Sequence, residues 1–111
     1  MKIETQKYDN ITVIELIGEF TAEFSNQLYE RIDVVCDDNT TGIVIDLSNV
    51  GFIDSTGLEQ LLETREYCRK NDHQIKLAGL DELCLKIMEI TRLLPKFDIY
   101  DELSEAVKSF V

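Results

Sequence analysis

Apolar residues along the chain switch between runs of period two and stripes of period three to four, and the switches mark its elements. The segment KIETQKY alternates around Ile3 and Thr5, Asp9-Asn10 supplies turn residues, and ITVIELI resumes with β-branched residues, so the chain opens with a predicted hairpin whose second strand is closed by Gly18. From about Thr21 to Cys36 the positions Phe24, Leu28, Ile32 and Val35 form one helical stripe, with Thr21 as the N-cap.

Asp37 to Gly42 reads as a loop, and IVIDL after it is a continuous apolar run of the kind buried on both faces of a sheet, hence a central strand. Beyond Leu47 the chain reads as a connection through Ser48-Asn49-Val50-Gly51 and Phe52-Ile53. It then enters a helix with Leu58, Leu61, Leu62 and Cys68 on one side and Arg65 interrupting that stripe. QIKLAG is a short strand ended by Gly79, and Asp81 caps a helix carrying Leu83, Cys84, Ile87 and Met88, which Leu94-Pro95 stops. FDIY is a last strand, and Asp101 caps a terminal helix with Leu103, Ala106, Val107 and Phe110 inward. The order β, β, α, β, α, β, α, β, α predicts a single α/β domain: a mixed, mostly parallel sheet of about five strands, an N-terminal hairpin and about four helices.

Composition agrees with one globular domain: 111 residues, 44% hydrophobic and 30% charged, with no low-complexity run, linker or internal repeat. Twenty-two acidic residues against 11 basic ones give a formal charge of -11, and the scattered basic residues offer nothing to follow a phosphate backbone, so direct nucleic-acid binding is not expected. The acidity is read as a solubility property, with steering toward a basic partner as the bolder alternative. No apolar leader or membrane-spanning run is visible, and a cytoplasmic protein is expected. Cys36, Cys68 and Cys84 lack the spacing of a disulfide framework or zinc site and read as buried thiols, while the single histidine, His73, reads as a loop residue.

Location directs attention to FIDSTGLEQLL, residues 52–62, at the carboxyl end of the central strand, where open α/β sheets collect their sites. Asp54, Ser55 and Thr56 can each cap the following helix; with Ser55 as the cap, the third helical position is Leu58 and the reciprocal acid of a capping box is missing. A nucleophile elbow needs a glycine where this chain has Ile53, and offers only His73 as base. A phosphate-cradling loop needs a lysine after Gly57, which is absent. Asp54 as an aspartyl-phosphate acceptor needs further acidic metal ligands, for which only Asp46 is near in sequence. A fourth reading, beside that of a simple cap, makes Ser55 a kinase substrate: a hydroxyl at an exposed helix start can be reached, and the phosphate it accepts adds about 1.5 to 2 negative charges.

The motifs IELIGEF, GIVIDLSNVGFIDSTGL and LDELCLKIMEITRLLPKFDIYDELSEAV together resemble the STAS domain, in particular the small stand-alone anti-sigma factor antagonists of bacteria. The resemblance implies that Ser55, the serine after the aspartate of the D-S-[ST]-G loop, is phosphorylated by a partner that is both anti-sigma factor and serine kinase. It implies that the unmodified form binds this partner and frees sigma factor, and that a serine phosphatase restores it. Such a protein is not an enzyme, needs no cofactor or metal, touches neither nucleic acid nor membrane, and is a monomer when free. The alternative within the family is an adaptor module of a transporter or larger assembly. By position, the partner-binding surface comprises Asn49, Val50, Gly51, Phe52, Asp54, Ser55, Thr56 and Gly57, with Glu19, Phe20 and Thr21 from the neighbouring strand end. Two departures stand out. Thr21 occupies the place of an aspartate frequent in the family, and the turn KNDHQ lacks a frequent glycine.

Overall fold

The computed structural model describes residues 2–22, 25–36 and 40–110, with backbone alone at 25, 26, 35 and 36. Strand β1 (Lys2–Tyr8) turns at Asp9-Asn10 into β2 (Ile11–Phe20), pairing antiparallel with Tyr8 opposite Ile11. Asp9 takes a φ of 54°, the left-handed conformation that so short a turn demands and that aspartate tolerates. Thereafter β3 (Gly42–Ile53), β4 (Gln74–Ala78) and β5 (Asp98–Tyr100) add in parallel, giving the sheet order β1-β2-β3-β4-β5. Helices α1 (Ser25–Cys36), α2 (Ser55–Lys70) and α3 (Glu82–Ile90) join successive parallel strands, and α4 (Leu103–Lys108) closes the chain. This is the α/β domain that the pattern predicts.

Both sheet faces are covered, unequally. Ile14 and Leu16 of β2, Ile43, Ile45 and Leu47 of β3, and Ile75 and Leu77 of β4 share the larger core with Leu28, Ile32, Leu58, Leu61, Cys68, Cys84 and Met88 of α1, α2 and α3. The alternate residues Ile11, Val13, Val44 and Ala78 meet Ala106 of α4 on the other face. Burial on both faces is why IVIDL shows no polar alternation. Lys76 is only 8% exposed on the α4 side, where its ammonium donates to Ser109 Oγ at 2.6 Å and lies 4.3 Å from the Phe110 ring centre. A cation over an aromatic face, with a hydrogen bond, offsets the cost of burying that charge.

Several boundaries differ from those the pattern suggests. β2 passes through Gly18 to Phe20, because glycine at a φ of 114° accommodates a register shift that would stop another residue. β3 runs on to Ile53 instead of ending at Leu47. Thr21 does not cap α1, which begins at Ser25; Phe24 and the side chain of Val35, half of that expected stripe, lie outside the described residues. Asp81 does cap α3, accepting from Cys84 N at 2.8 Å, whereas α4 starts after Glu102 rather than Asp101 and has no side-chain cap. Leu83 is exposed, and α3 is held to the core by Cys84 and Met88. Among the described residues no helix is long and apolar enough to cross a membrane.

Leu61, fully buried on α2, joins that helix to the main core. Leu61→Ala is expected to lower the unfolding free energy by about 2–5 kcal/mol, measured as a shift of the urea midpoint.

Candidate functional site

The carboxyl ends of β2 and β3 meet the first turn of α2 in one corner, and the route of β3 into that corner explains its shape. Through Leu47 every residue of β3 is buried; beyond it the buried positions recur at Val50 and Ile53 only. Two register shifts cause the change. Glu15 pairs with Asp46 but Ile17 with Asn49, and Gly18 pairs with Val50 but Glu19 with Phe52, so β3 carries two more residues than β2 over this stretch. Each extra residue bulges outward and resets the pleat. Ser48-Asn49 and Gly51-Phe52 are thereby turned to solvent. On its other edge β3 loses β4 after Asp46 pairs with Ala78, and α3 approaches instead, with the Cys84 thiol donating to Val50 O at 3.7 Å. Burial, and secondarily Asp81, pushes the Cys84 thiol up to about 12, so it is an unreactive packing group.

Asp54, not Ser55, is the N-cap of α2. Its Oδ1 accepts from Gly57 N at 2.8 Å, and its Oδ2 accepts from Ala22 N at 3.3 Å, tying the helix start to the chain leaving β2. Its backbone N–H donates to Phe20 O at 3.2 Å, and its carbonyl takes Leu58 N at 3.0 Å. With Gly57 and Leu58 amides satisfied, the amides left without intrahelical acceptors are those of Ser55 and Thr56. Gly57 lies so close to β2 that a Cβ there would fall 2.4 Å from Phe20 O and 2.9 Å from Ile53 Cγ2. Glycine is therefore required for space, with no demand on φ.

Ser55 occupies the first helical position, exposed, and its hydroxyl makes no hydrogen bond among the described residues. Around it Glu19, Asn49, Gly51 and Phe52 are exposed, Phe52 at 42%, while Thr21, Asp54 and Thr56 are half-buried. The side chains of Phe20 and Val50 are buried at 0% and 2%, and Gly57 is buried as well. These three of the expected surface residues hold the corner up from beneath, with their side-chain positions turned into the core. Asn49 Nδ2 donates to Glu15 Oε2 at 3.1 Å, which fixes the near end of the surface.

The structure brings neither enzyme constellation together. Asp46 sits on the α4 side, accepting Ser48 N at 3.0 Å and Ser48 Oγ at 2.7 Å, and shares a small acidic recess there with Glu4 and Glu15. His73 follows the far end of α2, a helix of 16 residues and about 24 Å that begins at Ser55. Among the described residues no group of three His, Cys, Asp or Glu is gathered to hold a metal ion.

Comparison with known proteins places the fold and the family. The STAS domain model matches residues 2–106, and the chain belongs to that family. A Staphylococcus aureus protein named anti-sigma-B factor antagonist is 29% identical over 93 residues, covering 84% of this chain and 86% of its own. The crystal structure of an anti-sigma factor antagonist from Mycobacterium paratuberculosis superposes with a TM-score of 0.86 at 26% identity, covering 97% and 92% of the two chains. The Bacillus cell fate determinant SpoIIAA in its phosphorylated form shares the fold, with a TM-score of 0.77 at 18% identity over 99% of this chain and 100% of its own.

The capping arrangement separates two neighbouring residues. Asp54→Ala should cost about 0.5–2 kcal/mol of stability, whereas Ser55→Ala should stay within about 0.5 kcal/mol, both read by chemical denaturation. Gly57→Ala, which drives a methyl into the Phe20 carbonyl, should cost about 1–3 kcal/mol, and amide shifts of Thr21 and Ala22 should move with it.

Proposed function

We propose that this STAS domain is an anti-sigma factor antagonist, a binding protein without catalysis of its own, whose docking to an anti-sigma factor with serine kinase activity is ended by phosphorylation of Ser55 and restored by a serine phosphatase. One observation carries the reading: the Ser55 hydroxyl is exposed and without a partner among the described residues, because its neighbour Asp54 performs the capping. The fold has no structural use for that hydroxyl, so modifying it leaves the domain intact. The names of the Staphylococcus aureus and Mycobacterium paratuberculosis relatives support the same role.

The physics of the switch follows from the corner. A phosphate on Ser55 finds the free amides and positive dipole end of α2, which stabilise it, and the carboxylates of Asp54 and Glu59, which repel it. These effects oppose one another within the domain. A partner seated over Phe52, Gly51 and Ser55 has no such compensation, because it meets new bulk and a dianion where its own surface had fitted. The switch therefore acts on the complex and leaves the fold unchanged. Thr21, standing in the place of a frequent aspartate, removes one negative charge from the rim of the docking surface and tunes which partner fits it.

Incubation with the cognate kinase and ATP should place phosphate on Ser55, stable to hydroxylamine as a phosphoserine is and an acyl phosphate on Asp54 is not. Ser55→Ala should retain binding and resist phosphorylation. Ser55→Asp should weaken binding on the order of a thousandfold, about 4 kcal/mol, by calorimetry. Phosphate mapped to another residue, or Ser55→Asp binding as tightly as the wild type, would overturn the proposal.

A further inference from the structure

A second feature lies at the opposite end of the sheet. The last turns of α2, the amino ends of β4 and β5 and the short 3-10 turn Leu94–Lys96 enclose a pocket of about 430 Å³, in the range of small-molecule sites. Its lining gathers Arg65, Arg69, His73, Lys76 and Lys96 against one acid, Asp98, in a chain whose formal charge is -11. Lys76 contributes only its backbone side here, since its ammonium is engaged on the other face of the sheet with Ser109 and Phe110. Three cations remain.

Arg65 is the residue that interrupts the apolar stripe of α2, and its side chain is only 24% exposed. Arg69 stands one turn further on the same face, so two like charges are held side by side, an arrangement unfavourable in itself. A single carboxylate oxygen, Glu66 Oε1, serves both, at 2.8 Å from Arg65 Nη1 and 3.6 Å from Arg69 Nη1. Asp98 makes no ion pair with any of the three cations. Each guanidinium carries five N–H donors in a planar fork, so most of the donor capacity at this pocket is left over. The negative dipole end of α2 accounts for basic residues in its last turn, Arg69 and Lys70, but does not reach Arg65. His73 lines the wall beside them; its Nδ1 is sealed from solvent with no hydrogen-bond partner among the described residues, so that nitrogen faces the interior and the opposite ring edge is the one turned outward.

We propose that this pocket is a binding site for a small phosphorylated anion, held by the forks of Arg65 and Arg69 and the ammonium of Lys96, with His73 in the wall. Bidentate pairing of guanidinium with phosphate is what favours phosphate over a monovalent anion. The pocket is separate from the Ser55 corner, with the length of α2 between them.

The test uses the whole chain, labelled with 15N, titrated with inorganic pyrophosphate at constant ionic strength. Saturable shifts should appear at the amides of Arg65, Arg69, His73 and Lys96 and at the arginine Nε–H groups. Arg69→Gln and Lys96→Gln, both at exposed positions that leave the fold alone, should each raise the dissociation constant about fivefold or more, and Arg65→Gln at least tenfold. Lys86→Gln on α3 should leave it unchanged. A response that never saturates, equal affinity in all four variants, or shifts confined to the Ser55 corner would overturn the site. Tighter binding of a phosphoserine peptide than of pyrophosphate would assign the pocket to a protein partner and overturn the small-molecule identification.

Discussion

Helix α2 can begin where it does only because residue 57 has no side chain to place between it and the end of β2. The backbone of Gly57 rides against the Phe20 carbonyl, at a spacing a Cβ would reduce to 2.4 Å. That carbonyl at the same time takes the Asp54 amide, and the Asp54 carboxylate holds Gly57 from one oxygen and Ala22 from the other. Close approach and capping are thus one arrangement, and the position of Ser55, the direction in which α2 leaves the sheet and the path of the chain out of β2 all follow from it. A larger residue at 57 would lift the helix start, lengthen the Asp54 contacts and move Ser55 relative to Phe52.

The exposed half of the corner rests on the buried half. Phe20, Val50 and Ile53 are each at 2% exposure or less and form the platform on which Glu19, Gly51, Phe52 and Ser55 are displayed. Because the two bulges of β3 turn every second and third residue outward while the strand remains paired to β2, the surface is held by sheet hydrogen bonds rather than by a free loop. A pre-formed surface loses little conformational freedom on docking, and a charge added to it cannot be relieved by the surface moving aside. Under the proposed function, this rigidity is what makes a modification of one hydroxyl count for a partner while leaving the domain nearly undisturbed.

Seen along its length, α2 separates two electrostatic situations. Its amino end offers free amides and an exposed hydroxyl; its carboxyl end is furnished with Arg65, Arg69 and Lys70. The first suits a negative charge at the Ser55 corner, the second an anion in the pocket at the other end of the sheet. Between them Leu58, Leu61 and Cys68 fix the helix to the core, so neither end moves without disturbing the packing of the whole.

Much of this was legible in the residues. The order of elements, the Asp9-Asn10 turn, the doubly buried IVIDL strand and the Asp81 cap are local matters of periodicity and turn chemistry, and each lies where the pattern puts it. The STG stretch also announces a strand-to-helix corner with Ser55 in it. What local pattern misreads is the run from Ser48 to Ile53, which looks like a connection because its buried residues recur every third position. Pairing with β2 makes it a strand, and nothing within the segment encodes that pairing. The same holds for the choice among Asp54, Ser55 and Thr56 as cap, for the burial of Phe20 against the exposure of Phe52, and for the gathering of Arg65 and Lys96 around one pocket. Sequence by itself determined which elements form, because helices and turns are settled by neighbours a few residues apart. Only the tertiary structure decided which residues of the corner are displayed to solvent and which are buried beneath them, because that depends on register, bulges and the closeness of two backbones distant in the chain.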